Sequence, residues 1–379
     1  MTEFPTRLRR LRLMRRWDQA DLARRIGFSA ALISQIERGR AAPTDEQVRK
    51  IADAFGYSVD FLTNELGLSE TTRPMLRAYS DASKRESDAR VAACITAVEY
   101  IRLLGLKALP DLTPSYASTD ADNDQDLQDI ANELRDLASI ETGDVVSNMI
   151  RAAERLGCIV LPFPSELGRH WGLSLRSDGL PVICVANSES VPGDRQRFTV
   201  AHELAHLALH SHLPPPRDRT ESNTLERQAN RVAAAFLTPA DALVEHLEQE
   251  GGRITLNTLL QIKSVWGVSV KSLVGRFKEL GRLDSDQARS LYKQISSRGW
   301  NKAEPVSVGL EEARWLSRSL TQKTGEAHLS AATAMSARAI GGNPADLHGY
   351  AAWEMPQIAE VIPLRRGGES KGERLAQPE

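Results

Sequence analysis

The stretch that most limits what this chain can fold into is RFTVAHELAHLALH, at residues 197–210. Its apolar residues recur with the period of a helix, and residues four apart lie on one face of a helix. His202 and His206 can therefore present imidazole nitrogens to one metal ion. Glu203 lies beside the first histidine, where its carboxylate can take a proton from a water molecule that the metal activates. The spacing favours a zinc site for amide hydrolysis over the alternative, an amphipathic helix with two surface histidines.

A catalytic zinc needs a third protein ligand and an open fourth position. Glu226 lies in a predicted helix over residues 224–237, and the proline-rich loop at 212–219 would let this helix pack against the first one. From the residues alone, a solvated glutamate on an arginine-rich surface explains Glu226 equally well. Asp241 and Glu221 are rival candidates for the third ligand.

His210 continues the histidine stripe one turn further, where we expect it to lie beyond the reach of an ion held by the first two histidines. The pattern around this stretch predicts a mixed α and β domain. The expected elements are a helix over 144–156, a strand at CIVLPF, two strands within 173–187 joined by a turn at Asp178-Gly179, and helices over 194–211, 256–265 and 270–280.

Basic residues are concentrated at the N-terminus. Residues 1–40 hold ten arginines and four acidic residues, although the whole chain has a net charge of −2. Residues 111–144 hold ten acidic residues and one arginine. The small net charge of the whole chain argues against a general affinity for nucleic acid. The arginines of the first forty residues instead predict a local basic surface, as contact with DNA requires.

The same N-terminal segment has the pattern of five short helices. They are expected over residues 6–16, over 19–26, from Ser29 to residue 38, from Pro43-Thr44 onwards, and after Ser58. The segment QADLARRIGFSAALISQIERGRAAPT resembles the Cro/repressor-type (XRE) helix-turn-helix. Gly27 makes the turn, and Ala23 is small where the second and third helices cross.

This resemblance assigns the third helix to base recognition. We expect Gln35, and after it Ser34, to contact bases, Gln19 to bind a phosphate, and Arg38 and Arg40 to meet phosphates. The complete predicted DNA-binding set is Gln19, Ser29, Ala30, Ser34, Gln35, Arg38 and Arg40, with Arg9, Arg10 and Arg16 as weaker candidates. A small helical interaction module with a solvated arginine face is the alternative.

The metal motif also resembles a known family. RFTVAHELAH, followed by a helix of the pattern E-x-x-A-N-x-x-A-A-x-F-L-x-P, is similar to the ImmA/IrrE-type metallopeptidases. The resemblance implies that His202, His206 and Glu226 hold zinc and that Glu203 is the general base. Members commonly carry glycine where this chain has Ala205, so the additional methyl group could narrow the cleft.

Together these patterns predict a fold that is mainly α with a small sheet: an N-terminal five-helix XRE helix-turn-helix domain and an α+β zincin-like metallopeptidase domain. WGVSVKSLVGRFKEL also resembles a second helix-turn-helix, but its apolar residues favour a helical scaffold for the peptidase region. The expected boundaries are 1–68 for the DNA-binding domain, 69–142 for a helical connector and acidic linker, 143–250 for the metallopeptidase domain, 251–319 for a C-terminal helical segment, and 320–379 for an unassigned region with a disordered tail.

Several classes of protein are disfavoured. The chain has no apolar run of membrane-spanning length, and its arginine-rich N-terminus is unlike a signal peptide. Cys94, Cys158 and Cys184 have no paired spacing, which is typical of reduced core cysteines in a cytoplasmic protein.

The sequence therefore predicts a cytoplasmic transcriptional regulator with a zinc-dependent HExxH endopeptidase domain, which cleaves itself or a partner regulator. Its expected partners are operator DNA, a protein substrate such as a repressor, and a second copy of the chain in a homodimer, with no membrane contact. The alternative is a non-catalytic transcription factor or antitoxin-like repressor whose zincin fold senses a ligand or metal. A third hypothesis is a peptidase that uses the XRE domain only to find a DNA-bound substrate.

Overall fold

The computed structural model of the chain describes residues 3–66, 68, 71, 81–114, 116, 123–163, 171–188, 190–214 and 216–353. Within these residues the chain forms seventeen helices and one three-stranded sheet. The predicted fold class, mainly helical with a small sheet, is confirmed. None of the described helices combines the length and the apolar character needed to cross a bilayer.

The five predicted N-terminal helices are present. They are α1 (Phe4–Met14), α2 (Gln19–Ile26), α3 (Ala30–Glu37), α4 (Asp45–Phe55) and α5 (Val59–Thr63). The side chains that cap the starts of α2, α3, α4 and α5 belong to Asp18, Ser29, Thr44 and Ser58. Gly27 ends α2 with a φ of 73°, a left-handed conformation that glycine adopts without strain. Local capping and turn chemistry therefore explain why the sequence predicted this region well.

Within residues 69–142, which were predicted to hold a helical connector, the described chain first forms α6 (Asp81–Leu103). This helix packs along α1. The fully buried carboxylate of Glu99 accepts a 2.7 Å hydrogen bond from Nε of Arg7 and a second bond from Arg10. This buried ion triad fixes α6 to the helix-turn-helix domain.

The sheet consists of β1 (Ile159–Phe163), β2 (Gly172–Ser177) and β3 (Leu180–Ala186), in the order β1-β3-β2. Strand β1 runs parallel to β3, whereas β2 runs antiparallel to it. The predicted turn between β2 and β3 is present: Asp178 and Gly179 have φ values of 51° and 75°, the two positive angles that a tight hairpin turn requires. Because β3 is the central strand of this order, β2 lies at one edge of the sheet.

Helices surround this sheet and continue to the end of the described chain. They are α7 (Asp124–Leu137), α8 (Met149–Arg155), α9 (Gly193–Leu209), α10 (Arg219–Leu237), α11 (Ala240–Gln249), α12 (Leu256–Trp266), α13 (Val270–Glu279), α14 (Ser285–Ser297), α15 (Trp315–Thr324), α16 (Leu329–Ala339) and α17 (Pro344–Ala351). Helices α9 and α10 pack against each other, and α9 also lies against β2 and β3.

The sheet separates two hydrophobic cores, because alternate residues of a strand point to opposite faces. Ile183 and Val185 of β3 belong to the core that is built with α7 to α14. Val182 and Cys184 belong to the core that is built with α6 and the helix-turn-helix domain. The cysteines are buried and unpaired, as predicted: Cys94, Cys158 and Cys184.

Two sequence-based boundaries differ from the structure. Residues 69–142 were expected to hold a helical connector and an acidic linker, but their C-terminal part forms α7, which Asn123 caps and which packs against α10. The backbone N–H of Leu112 in the same segment donates to the carbonyl of Leu156. The helix expected over 144–156 begins only at Met149, because the side chain of Asn148 caps it there.

The C-terminal region, which matched no pattern in the sequence, forms helices α15 to α17 and contacts the helix-turn-helix domain. Asp346 accepts hydrogen bonds of 2.8 and 2.7 Å from Arg15 and one of 2.6 Å from the Tyr57 hydroxyl. Asn343 donates to the carbonyl of Phe55. The tail that was predicted to be disordered, residues 365–379, lies outside the described residues.

Candidate metal centre and DNA-binding surface

Helices α9 and α10 bring the three predicted metal ligands together. Nε2 of His202 lies 3.0 Å from Nε2 of His206. The carboxylate of Glu226 lies 3.7 Å from the first of these nitrogens and 3.8 Å from the second. Both histidines come from consecutive turns of α9, and Glu226 reaches them from the facing side of α10.

The spacing of these three donor atoms fits a tetrahedral ion. Zinc bonds of the usual length place neighbouring ligand atoms about 3.3 Å apart at tetrahedral angles. The observed separations of 3.0 to 3.8 Å bracket that value. In the described part of the chain, this is the group of histidine, cysteine, aspartate and glutamate side chains that could share a metal. The rivals are not part of it: Glu221 instead accepts the backbone N–H of Arg217 at 2.6 Å.

Glu203 lines the same cleft as the ligand group and contacts the edge strand β2. Its Oε2 accepts a 2.7 Å hydrogen bond from the hydroxyl of Ser174 on β2. Burial raises the pKa of Glu203 to about 7; the bond from Ser174 lowers the pKa, and the nearby charge of Glu226 raises it. A buried carboxylate with a pKa near neutrality is suited to accept and release a proton.

The imidazole of His206 is held by a residue that the sequence placed outside the site. Nδ1 of His206 lies 2.8 Å from Nδ1 of His210, and Nε2 of His210 lies 3.2 Å from Oε1 of Gln228. If Nε2 of His206 holds a metal ion, its proton lies on Nδ1, so that His206 would donate to His210 and His210 would donate to Gln228. Burial lowers the pKa of His210 to about 4, which keeps it neutral for this role.

Gly172 allows β2 to approach α9 closely. A Cβ atom at this position would lie 2.5 Å from Cγ2 of Thr199 and 3.0 Å from Cγ of Glu203. Sequence analysis did not identify Gly172, Ser174 or Gln228, because only the packing of α9 shows which distant residues it meets. The separation of four residues between His206 and His210 did indicate that these two side chains lie on the same face of the helix and can interact.

The donor group opens into a cleft of about 1300 Å³ between β2, α9, α10, α13 and residues 300–308. Buried Lys263 of α12 holds one wall of this cleft. Its ammonium group pairs with Asp194 at the start of α9 and lies 2.8 Å from Glu304. Residues expected to form a separate C-terminal segment therefore complete the cleft around the metal ligands.

The predicted base-reading surface lies on α3. Ala30 and Gln35 are exposed there, whereas Ser34 is half-buried. Ser29 is also exposed, but its hydroxyl accepts the backbone N–H of Leu32 and so caps the helix. Among the described elements, α3 packs mainly against α1 and α2, so its outer face is accessible.

The predicted phosphate-binding residues differ in their surroundings. Arg38 and Arg40 are exposed. Gln19 is half-buried, and its amide donates to Glu37 at 2.9 Å, which fixes its position at the start of α2. The weaker candidate Arg10 is buried on Glu99 and cannot meet a phosphate. Of the other two, Arg9 is exposed, and Arg16 pairs with Glu86 at 2.6 Å.

Comparison with known families confirms both resemblances. Residues 8–62 match the helix-turn-helix family, and residues 153–278 match the peptidase family described as the IrrE N-terminal-like domain. None of the curated proteins matches the chain. The first match contains the whole predicted DNA-binding set, and the second contains the three metal-ligand candidates together with Glu203.

Proposed function

We propose that this chain, which joins a helix-turn-helix domain to an IrrE-like peptidase domain, is a DNA-binding regulator that uses zinc to cleave a peptide bond in itself or in a partner regulator. The observation that carries the proposal is the position of Glu203. It lies beside a complete set of metal donors, in the same open cleft, without being one of them.

The chemistry of the donors fits zinc, which binds imidazole and carboxylate ligands in tetrahedral geometry. His202, His206 and Glu226 would hold the ion, and the cleft leaves one side of this group accessible to substrate. Zinc there would act as a Lewis acid that polarises a peptide carbonyl and lowers the pKa of a water molecule.

Side chains of the protein would carry out the proton transfers of the reaction. Glu203 would take a proton from the attacking water and return it to the leaving amine. Ser174 holds one oxygen of this carboxylate through a 2.7 Å bond and so fixes the position of the carboxylate beside the metal donors. His210 and Gln228 would keep His206 in the tautomer whose Nε2 lone pair is free.

The regulatory part of the proposal rests on α3. Its outer face carries Gln35, with Arg38 and Arg40 following at its end, as base and phosphate contacts require. Regulators of this type bind paired half-sites, so we expect the chain to bind operator DNA as a homodimer.

The metal is tested first. We expect a single zinc ion per purified chain by elemental analysis, and loss of it in Glu226→Ala. Glu221→Ala, which removes another glutamate of α10, is the matched control and should retain zinc. A folded wild-type chain that takes up no zinc would contradict the proposal and favour a transcription factor whose zincin fold senses a ligand.

The reaction is tested second, by incubating the zinc-loaded chain alone and with co-expressed regulators, and locating new termini by mass spectrometry. Glu203→Gln should keep zinc and DNA binding but abolish cleavage, because an amide cannot accept the proton. Cleavage at the wild-type rate in Glu203→Gln would exclude the proposed mechanism.

A further inference from the structure

A second groove, on a different part of the molecule from the metal cleft, carries a concentrated positive charge. It has a volume of about 560 Å³ and lies between the residues that follow α6, the C-terminal half of α8, and α15. Its cationic lining consists of Lys107, Arg151, Arg155, Arg318 and Lys323, and its aromatic residue is Trp315. We propose that this groove binds a nucleotide, with the phosphates on the cations and the base against Trp315.

Most of these charges have no acidic partner. Glu154 is the carboxylate in the groove, and its Oε1 accepts the backbone N–H groups of Arg314 and Trp315 at 2.8 and 2.7 Å. Its Oε2 lies 3.2 Å from Arg151. Glu154 is thus fully engaged at the start of α15.

The other four cations of the groove, Lys107, Arg155, Arg318 and Lys323, form no ion pair with any carboxylate of the described residues. These four side chains are exposed and line one groove, so an anion that enters it is attracted by several positive charges at once. Arginine in particular binds phosphate oxygens through two parallel N–H donors.

The groove also offers an apolar surface. Trp315 is half-buried and packs partly against the core shared by the helix-turn-helix domain and the sheet. Leu106 and Leu109 line the groove beside it. An indole ring next to aliphatic side chains favours a planar heteroaromatic group, and the groove volume lies within the range of small-molecule sites.

Position argues against the operator DNA as the occupant. Arg85, near the start of α6, donates to the backbone carbonyl of Arg16 and lies 3.5 Å from Asp21 of α2, on the DNA-binding side. The groove lies beyond Leu103, at the other end of α6. Leu103 lies eighteen positions after Arg85 in the same helix, a distance of about 27 Å. The groove therefore lies at the opposite end of α6 from the contacts of Arg85 with Arg16 and Asp21, which favours a ligand other than the operator DNA.

The test uses the full-length chain without added metal and measures binding of ADP, pyrophosphate and adenosine by isothermal titration calorimetry. We expect saturable binding of ADP, with weaker binding of pyrophosphate and of adenosine. Arg318→Glu combined with Lys323→Glu should weaken ADP binding by at least about tenfold, because two charge-assisted contacts are lost. Trp315→Leu should weaken ADP binding without affecting pyrophosphate.

The matched control combines Lys278→Glu with Lys293→Glu, which makes the same change in charge at exposed positions of α13 and α14. Absence of ADP binding, or equal losses in both double variants, would overturn the proposal. Pyrophosphate that binds as tightly as ADP would overturn the assignment of the base to Trp315. If the groove variant instead loses affinity for duplex DNA while ADP binding is unchanged, the groove is a DNA contact and the proposal is wrong. Because none of these outcomes depends on peptidase activity, the proposal stands or fails independently of the zinc site.

Discussion

His206 and His210 face each other with their Nδ1 atoms 2.8 Å apart, so that one imidazole fixes the orientation of the other. Removing such a partner from a metal-binding histidine typically weakens metal affinity by about 10- to 100-fold. We expect His210→Ala to lower zinc affinity by that amount, measured by competition with a chromogenic chelator.

A buried histidine could also matter through packing alone. His210→Gln keeps an acceptor oxygen near His206 and should recover part of the affinity, whereas His212→Ala, at an exposed neighbouring position, should have no effect. An affinity in His210→Ala equal to that of the wild type would show that His206 needs no such partner.

Burial of Glu203 predicts a pH-dependent stability of the metal-free protein. Its pKa of about 7 in the folded chain lies above the ordinary value of 4.5, so the folded state binds this proton more tightly than the unfolded state. The buried carboxylate therefore begins to destabilise the fold as pH rises above 4.5. The full penalty, at most about 3 kcal/mol, is reached above pH 7.

We accordingly expect Glu203→Gln to raise the free energy of unfolding at pH 8 by about 1–3 kcal/mol and to change it little at pH 5. The measurement is denaturant unfolding in the presence of EDTA at both pH values. Glu245→Gln, an exposed carboxylate on α11, is the control and should change neither value. The same gain for Glu203→Gln at both pH values would contradict the assigned pKa.

Because β2 lies so close to α9, we predict that Gly172→Ala destabilises the fold and lowers peptidase activity. Its Cβ would meet Cγ2 of Thr199 at 2.5 Å, so the strand or the helix must move. Overpacking of this kind destabilises a protein by about 1–3 kcal/mol, and here it would also displace Glu203.

Thermal unfolding and cleavage assays test this prediction. Adding Thr199→Ser, which removes Cγ2 and keeps the hydroxyl, should restore much of the loss. Gly309→Ala is the control, since its Cβ would meet no atom within 4 Å. If the double variant is no better than Gly172→Ala, then the contact with Thr199 is not the cause.

Because Gln35 is exposed on α3, we predict that shortening its side chain reduces the preference of the protein for its operator over other DNA sequences. We expect Gln35→Ala to weaken operator binding by about 1–3 kcal/mol and to leave non-specific binding nearly unchanged. Arg38→Ala should instead weaken both and reduce the salt dependence of binding by about one counterion. The measurement is fluorescence anisotropy at several salt concentrations, using an operator selected from random duplexes. Equal losses on both DNAs in Gln35→Ala would mean that this residue does not read bases.

Because Glu99 is buried between Arg7 and Arg10, we predict that the conservative substitution of this glutamate by glutamine strongly lowers the free energy of unfolding. Glu99→Gln leaves two buried guanidinium groups without a counter-charge, and breaking a buried pair in this way costs about 3–5 kcal/mol. Glu46→Gln breaks the exposed 3.0 Å pair with Lys50 and should cost less than about 1 kcal/mol. Chemical denaturation distinguishes the two; similar, small losses would show that α6 is not held by this triad.

The parts of the fold that sequence predicted are those fixed by local chemistry. The helix starts at Asp18, Ser29, Thr44 and Ser58 depend on side chains that bond to the backbone three residues away. The turn at Asp178-Gly179 depends on two residues that accept positive φ angles. The acidic composition of residues 111–144 is typical of a linker, but it does not show that Leu127 and the apolar residues on the same face pack α7 against α10.

By itself, the sequence determined that His202 and His206 share one face of a helix and that Glu203 stands beside them, because helical periodicity alone sets those positions. It could not decide between Glu226 and its rivals without a family resemblance, nor connect Ser174 to Glu203, nor place the last three helices against the helix-turn-helix domain. Those relationships join residues that lie 20 to 331 positions apart, such as Arg15 and Asp346. They depend on how whole helices and strands pack, and the side-chain pattern of any one segment does not contain that information.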